Sequence, residues 1–155
     1  MNDRIISRKL LRLILFILAF IWFMGIISYC FDFSSISALY PFQKQLYSTV
    51  CHQNINKSFT CNGIPFFVCA RCTGIYFGAL IAASIILFLT KPLKIKTNLL
   101  FLFSLPMLTD VILMNIGLYN YNRLLSAFTG LLFGSAVFLY ILEAIENLLY
   151  SNLTD

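Results

Sequence analysis

The stretch CARCTGIYFGALIAASIILFLT, Cys69–Thr90, decides the fold. It opens on a C-x-x-C pair that brackets an arginine, and from Cys72 to Thr90 it carries no charge. A helix needs about 20 such residues to cross a hydrocarbon core of ~30 Å. Leu13–Phe31 and Leu124–Leu142 are equally long and charge-free, and Thr97–Asn122 is interrupted only by Asp110. The composition agrees: 60% of the 155 residues are hydrophobic and 11% charged, where a soluble domain has about a quarter charged. The expected fold is all-α, a four-helix transmembrane bundle forming one domain over 1–155. Its helices are placed at about 10–31, 70–90, 97–119 and 123–148, with the lipid bilayer as partner.

A cleavable signal peptide is the alternative for the first helix, because Arg4, Arg8, Lys9 and Arg12 form a basic leader. No small-x-small cleavage site follows, and the apolar run exceeds a usual signal core, so it reads as an anchor. Cys30 follows bulky Tyr29, unlike a lipoprotein cysteine, and reads as a small apolar filler. The tail and Lys91, Lys94 and Lys96 place seven basic residues on one side; Lys44, Lys57, Arg71 and Arg123 place four on the other. That bias puts both termini in the cytoplasm, in a multi-pass protein of the cell (cytoplasmic) membrane. The net charge of +5 is thus a topology signal. Without clustered basic residues among exposed aromatics, no nucleic-acid partner is expected.

Asp32–Ala70 is the one long connection; the others are short enough to force antiparallel neighbours. Within it, PFQKQLYSTV (Pro41–Val50) starts with a proline suited to a first helical turn, and Phe42, Leu46 and Val50 share a face. A short helix lying in the interface is expected, delivering Cys51 and His52 to the membrane surface. The second and fourth spans share a pattern, RCTGIYFG from Arg71 and RLLSAFTG from Arg123. Small residues recur every four positions, Gly74, Gly78 and Ala82 in one, Ser126, Gly130 and Gly134 in the other. Such spacing lets two helices approach closely in lipid, and both run in the same direction.

Asp110 lies about 20 Å along its helix, in the outer third of the bilayer. An acid near the bilayer centre costs on the order of 3 kcal/mol, so it must face the bundle and find a partner. Arg71 and Arg123 enter from the outer surface. The three residues form either a structural ion pair or a polar pocket for a small anionic or polar ligand or a proton. Pro106, one turn earlier, is expected to kink the helix.

Cys69 and Cys72 open onto the same space, with Cys51, His52 and Cys61 in the loop beside them. Three thiols and an imidazole can complete a tetrahedral zinc site, and Cys61 can replace His52 to give four sulfurs. The rival chemistry is thiol–disulfide exchange: Cys69 and Cys72 as a redox pair at a helix N-terminus, Cys51 and Cys61 as a second pair, and a quinone as electron acceptor. That layout is similar to four-helix membrane catalysts that reoxidise disulfide-forming proteins. Plain structural disulfides are the third option, leaving a small-solute or lipid-binding or transport module built on Asp110. No Ser/His/Asp hydrolase set is available, since the sole histidine lies in the cysteine cluster. The glycines lie in apolar helix faces and form no phosphate loop.

CHQ, KSF and VCARCTGIYFG, then LPMLTD and NRLLSAFTGLLFG, resemble a family of small prokaryotic membrane proteins known as domain of unknown function 2085. The resemblance runs from about Val50 to Gly134. It carries over to Cys51, His52, Ser58, Phe59, Cys69, Arg71, Cys72, Gly74, Asp110, Arg123 and Gly130. Lys57 stands where an arginine is usual, Val111 where a glycine is usual, and Cys61 lies outside the pattern. The resemblance therefore implies a site of Cys51, His52, Cys69 and Cys72 and favours Cys3His metal ligation. It implies no reaction.

Overall fold

A computed structural model describes residues 2–30, 40–61, 63–89, 96–118 and 120–151. Helix α1 (Asn2–Ile27) ends in a 3-10 turn at Ser28–Cys30, and α2 (Tyr40–Ser48) lies in the long connection. A 3-10 turn at Ile55–Lys57 leads into strands β1 (Ser58–Cys61) and β2 (Ile64–Cys69), followed by α3 (Ala70–Leu87), α4 (Thr97–Asn115) and α5 (Arg123–Ser151). Four helices are long and apolar enough to cross a membrane: Ser7–Ile27, Ala70–Leu87, Thr97–Asn115 and Arg123–Leu149.

The bounds differ from the expected ones for local reasons. The first helix begins well before residue 10, because the basic tail is itself helical. Its last turn tightens at Ser28, whose hydroxyl donates to the Gly25 carbonyl at 3.0 Å. Helix α4 stops at Asn115, not 119, because Gly117 takes φ +76°. The Gly117 and Leu118 amides then donate to the carbonyls of Met114 and Leu113, satisfying the last turn. Asn122 caps α5: its side-chain oxygen accepts from the amides of Leu124 at 3.0 Å and Leu125 at 3.3 Å. Helix α4 runs unbroken through Pro106.

The parallel pair α3 and α5 forms the centre. A Cβ at Gly74 would run into the backbone of Ala127, and one at Gly78 into that of Leu131. From the other side, Gly130 and Gly134 meet the backbone of Arg71 and Ile75. Bare backbones thus lie against each other along two turns, as the small-residue spacing predicts.

The expected short helix is present as α2, with Phe42 and Leu46 exposed along it and Val50 exposed in the turn that follows. The buried residue is Tyr47, whose hydroxyl donates to the Trp22 carbonyl at 2.9 Å while its ring stacks on Phe67 and meets Trp22 edge-on. The β-hairpin is an addition to the all-α expectation. It pairs Cys61 with Ile64 and Thr60 with Pro65, turning through Gly63 at φ +79°.

A second buried ion pair sits at the opposite end from the cysteines. Arg12, read above as one charge of a topological tail, is 2% exposed. Its guanidinium grips both carboxylate oxygens of Glu146, at 2.7 and 3.1 Å. It also donates to the carbonyls of Ile86 (3.4 Å) and Leu89 at the end of α3. One side chain therefore ties α1 to α5 and covers the negative end of a third helix.

Candidate metal centre

Three elements converge on the cysteines. The turn after α2 brings in Cys51, whose amide donates to the Tyr47 carbonyl at 3.1 Å. Strand β2 ends at Cys69, which is also the extended N-cap residue of α3, and Cys72 lies in the first turn of that helix. The three sulfur atoms lie within 4.8 Å of one another. The Cys69 amide donates to Cys51 Sγ at 3.2 Å. Hydrogen bonds from the thiols of Cys69 and then Cys72 hold the Cys51 thiol far below its ordinary range, against the opposing effect of burial. Trp22, Tyr47, Phe67 and Tyr76 surround the cluster. Three thiols gathered where β2 runs into the N-terminus of α3 form a soft and largely preformed ligand set.

The fit to a metal can be judged on distance. Zinc–sulfur bonds of about 2.3 Å set a tetrahedral edge of about 3.8 Å. Three sulfurs inside 4.8 Å need only a small contraction to reach it. His52 is exposed and does not join the cluster, even though it follows Cys51 directly. Neighbouring residues rarely turn toward the same point, and here the backbone reverses at Gln53 with φ 48°. Cys61 does not join the cluster either.

Arg71, inside the C-x-x-C, points the other way. Its Nη2 meets Asp110 Oδ2 at 2.6 Å, and Ser126 Oγ donates to the same oxygen at 3.0 Å. The carboxylate is 4% exposed and joins α3, α4 and α5. Arg71 Nε is buried without a partner among the described residues. Arg123 does not reach this pair. It is exposed and donates from Nε to the Asn56 carbonyl at 3.3 Å, so it fastens the loop to the start of α5. Nearby, Lys57 lies 5.3 Å over the Tyr121 ring while Tyr121 donates to the Lys57 carbonyl. Ser58 is buried and donates to the Asn54 carbonyl at 3.0 Å, anchoring the loop as its position suggests.

The family model described as "Predicted membrane protein (DUF2085)" matches residues 51–140, from the first cluster cysteine into the middle of α5. The chain belongs to that family. It is also 34% identical over 149 residues to the uncharacterised protein MJ1492 of Methanocaldococcus jannaschii, spanning 94% of this chain and 92% of that protein. No solved structure matches. Family membership agrees with the four apolar helices: this is an integral membrane protein whose cysteine cluster is able to hold a metal.

Proposed function

We propose that Cys51, Cys69 and Cys72 bind one zinc ion at the extracytoplasmic mouth of the bundle, in the cytoplasmic membrane, with both termini in the cytoplasm. The observation that carries this reading is the convergence of three sulfurs from three separate elements within 4.8 Å. Free thiols this close do not persist in an oxidising compartment unless something shields them, and a metal does so. Zinc would draw the C-terminal end of α2 onto α3 and so order the long connection above the Arg71–Asp110 pair. With His52 turned outward, the fourth coordination position is open to a small anionic or polar ligand, the arrangement of a zinc site that acts as a Lewis acid. Asp110 belongs to the support of this site: its carboxylate is held by Arg71 and Ser126.

Zinc content of protein purified without chelator tests the proposal. Wild type is expected to carry zinc equimolar with the chain, and Cys69→Ser to lose it. Zinc-free wild type with a Cys69–Cys72 disulfide would contradict it.

One observation favours a second reading, a quinone-linked thiol–disulfide oxidoreductase. An apolar cavity of about 400 Å³ starts one residue beyond Cys72, between Phe23, Phe66, Thr73, Phe77 and Phe128. It suits the apolar body of a membrane quinone. That reading requires Cys69 and Cys72 to alternate between dithiol and disulfide in the cell and quinone to copurify with the protein. Permanently reduced, metal-shielded thiols exclude it.

A further inference from the structure

One end of the bundle carries positive charge above an apolar hole. Arg123 is the first residue of α5 and of its membrane span, so its exposed guanidinium stands at the membrane border. Its Nε is spent on the Asn56 carbonyl, which leaves the Nη fork without a protein partner among the described residues. Lys57, next to Asn56, lies over the Tyr121 ring. Among the described residues neither cation pairs with a carboxylate, since Asp110 is taken by Arg71. Ala127 and Leu131 follow Arg123 at one and two turns on the same helix face, and both line the cavity of about 400 Å³. Phe59, two residues after Lys57, closes it from the hairpin. The lining is apolar apart from Thr73, whose hydroxyl turns to the Cys69 carbonyl at 3.1 Å. Phe77 and Phe128 on its rim are 41% and 59% exposed and belong to membrane spans, so the cavity opens toward lipid.

We propose that this rim and cavity bind one anionic phospholipid, its phosphate on Arg123 with Lys57 beside it and part of one acyl chain in the cavity. The two halves of the site act differently. A void that faces hydrocarbon forfeits dispersion contacts along its lining, so a neighbouring chain fills it whatever its headgroup. The charged rim selects the lipid: a guanidinium fork grips phosphate oxygens in pairs, and each basic residue near the bilayer surface favours an anionic lipid by about fivefold. The contact with the Asn56 carbonyl holds the guanidinium beside the hairpin. Neither the three-sulfur cluster nor a metal enters this site, whereas the quinone of the second reading would occupy the same cavity.

In the test, full-length protein in detergent is titrated with phosphatidylglycerol or phosphatidylcholine of identical acyl chains, and bound lipid is counted by native mass spectrometry. Wild type is expected to hold one phosphatidylglycerol and to prefer it by roughly twenty-five-fold, about fivefold for each of the two cations. Arg123→Ala is expected to lower that preference about fivefold, and R123A/K57A to abolish it. Equal affinity for the two lipids in wild type, or a preference that survives in the double variant, would overturn the headgroup site. Since Arg123 makes one exposed contact, its variant is expected to lose preference with an unchanged Tm, which separates binding from folding. For the chain, equimolar phosphatidylglycerol carrying a photoreactive group midway along one acyl chain is expected to label α3 and α5 around Phe77 and Leu131. Labelling confined to α4, or a quinone that copurifies in place of phospholipid, would overturn the cavity as the acyl site.

Discussion

Helices α3 and α4 are equally apolar, yet 44% of the membrane-spanning window of α3 is buried inside the protein and only 6% of that of α4. In water, two helices of equal hydrophobicity would compete for the same core. In lipid, apolar side chains gain nothing by leaving the acyl chains, so hydrophobicity places a helix in the membrane without packing it. What packs α3 is the absence of side chains: Gly74 and Gly78 let the α5 backbone come within contact distance. Helix α4 has no such seam. Its single buried residue is Asp110, and the cost of leaving that carboxylate in hydrocarbon is what draws α4 toward α3 and α5.

The largest effect should come from breaking the seam. Gly74→Leu forces a side chain into the Ala127 backbone and is expected to destabilise by on the order of 3 kcal/mol or more, seen as loss of the folded species in detergent. Leu105→Ile on α4, where the side chain is 54% exposed, is expected to be silent in the same assay. Equal damage from both would erase the distinction between the two helices.

Next in size is Asp110→Ala. It leaves Arg71 without its carboxylate in a partly buried position, a loss of roughly 3–5 kcal/mol for such pairs. The damage should be local: protease or cysteine labelling is expected to show α4 released while α3 and α5 stay together. Global unfolding at the same threshold would mean that α4 is more deeply integrated than its burial implies.

Ser126→Ala removes one hydrogen bond to a charged, buried acceptor and should cost about 2 kcal/mol, read as a lower midpoint in a denaturation series. Smallest is Arg123→Ala. One exposed side-chain-to-backbone contact predicts a change within about 0.5 kcal/mol and no effect on zinc content. A loss as large as that of Asp110→Ala would restore Arg123 to the buried ion-pair site.

The contrast also explains what could be read from the chain. Uncharged runs and small-residue spacing are periodic local signals, and they placed the four spans and the α3–α5 contact. Asp110 announced a partner because no acid lies in hydrocarbon alone, and Arg71 was within reach. A gathering of thiols at a helix mouth was legible from the residues, but preferring Cys51 to Cys61 rested on the family resemblance. Direction was harder. His52 and Arg123 stand at the right depth but face solvent, a choice made by the local backbone and not by residue type. The hairpin did leave a signal, the Asn62-Gly63 dipeptide between apolar runs, which favours a two-residue turn. The Arg12–Glu146 clamp left none: it joins residues distant in sequence, and the arginine has an ordinary local explanation as part of a basic leader.

The most direct test of the metal centre is X-ray absorption at the zinc edge on protein purified without chelator. Three sulfur neighbours at about 2.3 Å, plus one lighter atom that persists in His52→Ala, are the predicted result. A zinc shell of nitrogen and oxygen alone, or sulfur ligation that survives Cys51→Ser unchanged, would contradict the account.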